Sequence, residues 1–266
     1  MTCVDLQGLR VLVTAASRGI GFEVAWRLAR MGADVVISSR SRESLRDAVG
    51  RASSLGVRLE SYPCDLRRRE DLERLAEHLA ETGGVDGLVF NAGNVEREPA
   101  EILETRYEDW VEASLLHLVA PAYLTRLLLP HMVEKGFGRI VYLSSVSVVE
   151  PMSQLVLADT SRAGLLQLSR IVARKYGGRG VLSNVVLLGS FDTPGARRTI
   201  GRLAEKRGAS FEELWEREVL GRIPVGITGD FEGLACLVAL MLSRSNVFLN
   251  GAVVAFDGGM LRSVLA

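Results

Sequence analysis

Lysine is nearly missing from this chain. Lys135, Lys175 and Lys206 are the only three in 266 residues, and arginine supplies the rest of the 32 basic positions. Acidic residues also number 32, so the formal net charge is zero and no electrostatic excess favours nucleic acid or an anionic membrane. Cysteine is scarce too. Cys3, Cys64 and Cys236 are odd in number, scattered and without metal-type spacing, which excludes a disulfide framework and is expected of a reducing, cytoplasmic setting. No uninterrupted apolar run approaches the roughly 18 residues of a membrane span. Asp5 and Arg10 interrupt the start of the chain, so no secretory signal is expected there. Repeats, low-complexity segments and linkers are also missing, and the expectation is one domain over 1–266.

What is present is organised around Arg10–Gly21. The run Val11, Leu12, Val13 reads as a buried parallel strand, and it breaks into a turn of small residues from Thr14 to Ser17. After Gly19 and Gly21 an amphipathic helix begins, with Phe22, Val24, Ala25, Leu28 and Ala29 on one face. Strand, small-residue turn and helix N-terminus together form a cradle for the pyrophosphate of a dinucleotide, because backbone N–H groups and the helix dipole point at the anion. Ala15 stands where the full spacing would put a first glycine. The plainer alternative is that small residues here only pack the helix on the sheet.

Further strands are expected at Val11–Thr14, Asp34–Ser38, Val57–Tyr62, Gly87–Phe90, Arg139–Ser144, Val181–Leu187 and Ala252–Phe256. Helices are expected near 20–31, 41–54, 68–82, 104–135, 153–176 and 230–243. Gly32 stops the first helix, and Thr105 with Glu108 reads as a capping box ahead of Trp110. Such alternation predicts an α/β, Rossmann-type, doubly wound parallel sheet of about seven strands with helices on both faces. Between Thr193 and Arg222 two polar helical stretches, 197–207 and 210–219, interrupt the rhythm. This insertion is read as a substrate lid, the alternative being an oligomer contact or a structural excursion.

Several motifs then accumulate: Cys64-Asp65-Leu66 after the third strand, Phe90-Asn91-Ala92-Gly93 after the fourth, Ser144-Ser145 at the end of the fifth, Leu188-Gly189-Ser190-Phe191-Asp192-Thr193 after the sixth, and Asp257-Gly258-Gly259 near the end. With these, the chain resembles the short-chain dehydrogenase/reductases over nearly its whole length. The resemblance implies cofactor contacts from Thr14, Ala15, Ser17, Arg18, Gly19, Ile20, Gly21, Asp65, Leu66, Asn91, Ala92, Gly93, Gly189 and Thr193. The second strand ends Ser38-Ser39-Arg40 without the carboxylate that holds an NAD ribose. Arg40 and Arg18 suit a 2′-phosphate instead, so NADP(H) is favoured over NAD(H).

The family's chemistry uses a tyrosine as general acid/base, a lysine four residues on, a serine thirteen residues before the tyrosine and an asparagine on the long helix. Counting from Ser145, the tyrosine position is Ala158 and the lysine position is Arg162; the asparagine position is His117. The chain is similar here to a sub-group labelled 3-oxoacyl-acyl-carrier-protein reductase-like, in which the pair is altered. Alanine carries no proton, and arginine keeps a charge for ribose hydroxyls but does not shuttle protons. The resemblance therefore implies Ser145, His117 and Arg162 as the catalytic set, with His117 or a bound water replacing the tyrosine. Alternatively, His117 is a helix histidine bonded in a packed interface. Strand alternation puts Tyr142 on the face opposite Ser145, and Ser147 and Ser161 read as structural. No metal is expected. The expected partners are a small carbonyl or alcohol substrate and further copies of the chain as a tetramer or dimer, with neither nucleic acid nor membrane. The competing reading is a cofactor-binding or scaffold protein that lost the chemistry.

Overall fold

The computed structural model describes residues 4–263; Cys3 lies outside them. Seven strands form one parallel sheet in the order β3-β2-β1-β4-β5-β6-β7. They are β1 (Arg10–Val13), β2 (Asp34–Ser39), β3 (Glu60–Pro63), β4 (Gly87–Phe90), β5 (Gly138–Ser145), β6 (Val181–Leu188) and β7 (Val253–Phe256). The order reverses at β1, and β1 pairs with both β2 and β4, Val13 lying opposite Ile37 and Val89. In such sheets the crevice beyond the carboxyl ends at this reversal is where ligands bind.

Period-two alternation sorts the core into two layers. Val11, Val13, Val35, Ile37, Val89 and Val141 face α1 (Gly19–Arg30), α2 (Arg42–Ser54) and α10 (Phe231–Leu242). Leu12, Val36, Leu88, Phe90, Ile140 and Tyr142 face α3 (Arg69–Glu81), α5 (Ala120–Glu134) and α7 (Gly164–Tyr176). Tyr142 is fully buried, its hydroxyl 2.7 Å from Thr125 Oγ1, away from the cleft.

Three boundaries differ from the sequence reading. Residues 57–59 do not join β3, because the N–H of Val57 goes back to the Ala52 carbonyl and closes the end of α2. The long helix starts at Tyr107 as α4 (Tyr107–Ser114). Its start is held by the Asp109 carboxylate accepting from the Arg106 N–H at 2.8 Å, while Thr105 Oγ1 accepts from the Trp110 indole. The cap is thus shifted by one residue from the expected Thr105–Glu108 pair. Third, the helix expected over 153–176 divides into α6 (Val156–Arg162) and α7. Here Gly164 lies against the long helix, where a Cβ would come within 2.5 Å of Leu118 Cδ1.

Between α4 and α5 the helix widens into a π turn, Leu115–Val119. The whole stretch Tyr107–Glu134 is long and apolar enough by composition to cross a membrane, although polar residues interrupt it. Its Ala120, Leu124, Leu128 and Met132 pack into the core beneath the sheet, as in the core helix of a layered protein.

Candidate active site

The turn between β1 and α1 is tied to β4 by side chains that the sequence puts there for that purpose. Thr14, fully buried, donates its hydroxyl to the Asn91 carbonyl at 2.6 Å and accepts the Asn91 N–H at 3.0 Å. Asn91 Nδ2 in turn lies 3.3 and 3.2 Å from the carbonyls of Thr14 and Ala15. Ala15 adopts φ +48°, the only left-handed non-glycine among the described residues, at the position where a glycine was expected. At Gly21 an added Cβ would meet Asn91 Nδ2 at 2.7 Å, the Ala15 oxygen at 2.8 Å and Ala16 Cα at 2.9 Å, so no larger residue fits without moving the turn.

The N-terminus of α1 is left open. Arg18, the residue before it, makes no side-chain cap, and the first turn holds no acidic residue. Its first N–H groups and dipole lie at the mouth of the crevice, where a Cβ added at Gly19 would meet nothing nearer than Thr193 Cβ at 3.9 Å. Arg18 and Arg40 are both exposed, and the residues just before them are joined, Ser17 Oγ bonding Ser39 Oγ at 3.1 Å. A dinucleotide polyanion fits this donor set. Asp65 is less free: Arg67 holds both carboxylate oxygens, at 3.0 and 2.7 Å, and keeps the carboxyl below its ordinary range. Leu66 is buried beside it.

Beyond the strand ends lies an open cleft with about 250 Å³ of free space. Ile20, Asn91, Ala92, Ser145, Arg162, Gly189 and Thr193 share its wall, so the structure brings these expected residues together. The insertion contributes α8 (Pro194–Arg207) and α9 (Phe211–Glu218), packed on each other through Ile200, Leu203, Leu214 and Val219. They line the cleft with Ala196, Thr199, Ile200, Leu203, Glu218 and Val219. Thr193 caps α8 by accepting the Ala196 N–H at 3.0 Å. Two arginines of the insertion are occupied: Arg197 pairs with Asp192, and Arg202 donates to the carbonyls of Glu96 and Glu98. Arg222 lines the cleft instead. From there a wider opening of about 440 Å³ continues toward Glu150, Pro224 and Arg262.

His117 stands elsewhere than the cleft wall. The π turn swings it inward, fully buried, with Nε2 3.0 Å from the Gly93 carbonyl and Nδ1 2.9 Å from Ser161 Oγ. A carbonyl only accepts, so Nε2 carries the proton and Nδ1 accepts from the serine hydroxyl. Burial and the neighbouring Arg162 charge push the imidazole well below its ordinary value, which keeps it neutral. Ala158, 1% exposed, packs with Val95, Ala113 and Leu157. Its N–H donates to Glu98 Oε1 at 2.8 Å. Arg162 Nη2 lies 3.5 Å from the Gly93 carbonyl, on the cleft wall, with Glu98 and Asp159 as the carboxyls whose charge acts on it.

Three groups are not assigned to the site from sequence, where Ser147 reads as structural. Ser145 Oγ lies 2.7 Å from Ser147 Oγ, and the Ser147 hydroxyl is bonded to Asp159 Oδ1. Asp159 Oδ2 accepts the Met152 N–H at 2.9 Å. Glu98 is the third, 4% exposed yet bordering the cleft. Burial raises both carboxyls above their ordinary range, Asp159 against its hydrogen bonds and Glu98 against the Ala158 N–H.

The chain as a whole has known relatives. The family model described as enoyl-(acyl carrier protein) reductase matches residues 14–261. Human dehydrogenase/reductase SDR family member 2, mitochondrial, is 32% identical over 266 residues, covering 97% of this chain and 89% of that one. The 3-oxoacyl-(acyl-carrier-protein) reductase FabG of Thermotoga maritima is 28% identical over 257 residues, covering 96% and 99%. Among solved structures, L-sorbose reductase from Gluconobacter frateurii, complexed with NADPH and L-sorbose, superposes with a TM-score of 0.90 at 25% identity, over 99% of this chain and all of that one. Motifs, sheet order, cleft and relatives agree: the chain belongs to the short-chain dehydrogenase/reductase family.

Proposed function

We propose that the protein is an NADP(H)-dependent oxidoreductase that interconverts a carbonyl and an alcohol through a non-standard acid/base site. The observation that carries this reading is the open N-terminus of α1 at the mouth of the same cleft that Ser145 lines. The β1–α1 turn with Gly19, Ile20 and Gly21 would hold the pyrophosphate, Arg18 and Arg40 a 2′-phosphate, and Arg162 a ribose hydroxyl. When bound, the dinucleotide supplies or accepts the hydride.

The chain's own residues do the rest. Ser145 presents a hydroxyl to the substrate oxygen from the end of β5. The apolar wall of Leu143, Leu155, Leu188 and Phe191 excludes water around it, and Arg222 suits an anionic group at the outer end. An apolar chain ending in a charge, as in a 3-oxoacyl thioester, fits that gradient. FabG of Thermotoga maritima supports this substrate class, whereas the sorbose reductase supports a keto sugar. His117, neutral and bonded at both nitrogens, keeps the Gly93 loop and α6 in register rather than delivering a proton.

Self-association is part of the proposal: Val111, Leu118 and Val119 on the long helix and Ile171 on α7 are exposed apolar side chains on adjacent elements. A reducing, cytoplasmic compartment is in keeping with a buried Cys64 whose thiol burial pushes up to about 12. The second reading, a binding or scaffold protein, is favoured by one observation, the proton-free Ala158.

Equilibrium titration with NADPH and with NADH tests the proposal. Saturable binding of both is expected, NADPH being tighter. Arg40→Ala removes one charge-assisted contact worth about 1.5–3 kcal/mol, roughly 10- to 150-fold, from NADPH alone. Binding of neither dinucleotide overturns the reading.

A further inference from the structure

We propose that Ser145, Ser147 and Asp159 form a proton relay, in which the protonation state of Asp159 sets the direction of both hydroxyl hydrogen bonds. The inference rests on the oxidoreductase reading above. It supplies what Ala158 and the buried His117 leave open, a route for the proton between the cleft and a titratable group.

The geometry is continuous. Ser145 borders the cleft, Ser147 is fully buried behind it, and Asp159 is 5% exposed behind that. The two serine oxygens are 2.7 Å apart, and Ser147 is in hydrogen-bond contact with Asp159 Oδ1. Each hydroxyl owns one proton, so the chain has a polarity. When Asp159 is ionised, Ser147 donates to it and Ser145 donates to Ser147; the Ser145 proton then points away from the cleft, and Ser145 offers the substrate a lone pair. When Asp159 is protonated it donates to Ser147, Ser147 donates to Ser145, and the Ser145 proton is free to point at a carbonyl oxygen. Reduction uses the second state. As hydride from the reduced dinucleotide adds to the carbonyl carbon, the oxygen takes the Ser145 proton. Ser145 takes that of Ser147, Ser147 takes that of Asp159, and the aspartate is left ionised until solvent reprotonates it. Oxidation of the alcohol runs the same transfers backward and uses the ionised aspartate.

A retained proton is what the surroundings call for. Glu98 and Asp159 are two buried carboxyls whose charges oppose each other, and Arg162 is the cation acting on both. A second buried negative charge would be only partly compensated, so ionising both carboxyls at once is disfavoured and the two sites compete for one proton. Other titratable groups on the packed elements do not alter this. His117 on the π turn is neutral, and Asp109 on α4 is held by Arg106. Burial keeps the Asp159 carboxyl above the ordinary 3.8 despite the Met152 and Ser147 bonds.

The test combines carboxyl carbon-13 NMR on aspartate-labelled, dinucleotide-free protein with reduction assays. The Asp159 signal is assigned by its loss in Asp159→Asn. NADPH-linked reduction of ethyl 3-oxobutanoate and of L-sorbose is then followed from mildly acid to mildly alkaline pH. Asp159 is expected to titrate above 3.8, and wild-type reduction to fall as pH rises through that midpoint. Ser147→Ala is expected to lose about 10²- to 10⁴-fold in reduction rate, and Ser147→Thr, which keeps the hydroxyl, to recover it. In Asp159→Asn the amide can still accept from Met152 and donate to Ser147, so the variant should fold, react slowly and show a flat pH profile. An Asp159 midpoint at or below 3.8 overturns the relay. So does a Ser147→Ala variant with the wild-type rate and profile. A wild type that binds no dinucleotide overturns the parent reading instead, and the carboxyl titration reads the seat of the proton in either case.

Discussion

Replacing His117 by glutamine isolates one buried, neutral imidazole from every other titration in the protein. In the folded chain Nε2–H is committed to Gly93 and Nδ1 to Ser161, and burial with the Arg162 charge holds the ring well below its ordinary 6.5. In the unfolded chain the same ring takes a proton near 6.5. The folded value is the depressed one, so the stability this histidine contributes is full above 6.5 and drains away as pH falls. One proton bound only by the unfolded state costs about 1.4 kcal/mol at a pH one unit below 6.5. Glu98 and Asp159 act in the opposite sense: with raised carboxyls they favour the folded state in acid and lose that contribution as pH rises through their folded values. Both remain in the variant and cancel in the difference. Urea unfolding of wild type and His117→Gln, near neutrality and at a pH one unit below 6.5, measures that difference. The wild type's margin over the variant is expected to shrink by about 1.4 kcal/mol on acidification. A margin that stays constant would mean the imidazole protonates as readily in the fold as outside it, and the reasoning that removes His117 from the chemistry would fail.

Other perturbations test the cradle and the cleft. Gly21→Ala places a Cβ within 2.7–2.9 Å of three atoms, two of them backbone. It should cost about 1–3 kcal/mol, lower the melting temperature by about 2–4 °C per kcal/mol and weaken dinucleotide binding in calorimetry; an unchanged melting temperature would show the turn to be slack. Thr14→Val keeps the shape of a fully buried side chain but strands the Asn91 N–H and carbonyl, and unfolding should report a loss of about 1–3 kcal/mol. Restoring the family's residues by Ala158→Tyr with Arg162→Lys should destabilise rather than activate, because Ala158 is enclosed by Val95, Ala113 and Leu157. A strong gain in reductase rate without loss of stability would show that the site opens to the cleft after all.

Much of the fold was legible because its signals are local. Alternation in Val11-Leu12-Val13 assigns Val11 and Val13 to one core layer and Leu12 to the other, and Gly32 at φ +100° ends the first helix as its position implied. Boundaries slipped where a backbone group had two competing partners, as at Val57, whose N–H closes a helix instead of starting a strand. That Ile20, Asn91, Ala92, Gly189 and Thr193 would gather at one cleft was likewise readable from spacing after strands. The interior of the site was not. Ser147 and Asp159 are twelve residues apart and meet only because the loop between them folds back through Met152. Glu98 sits in a segment with no periodicity, and His117 has the right spacing to face the cleft but a π turn that rotates it inward. The arginines of the insertion could not be sorted by sequence either, since Asp192 and the Glu96 carbonyl claim Arg197 and Arg202.

Hydride transfer in this cleft, as proposed above, leaves an isotopic trace. NADPH carrying deuterium on one face of the nicotinamide C4, incubated with the protein and ethyl 3-oxobutanoate or L-sorbose, should deliver the label to the carbinol carbon of the product from one face only, and Ser145→Ala should reduce that transfer by at least about 10²-fold. Bound NADPH that passes no label to either carbonyl, or label transfer indifferent to Ser145, would contradict the account.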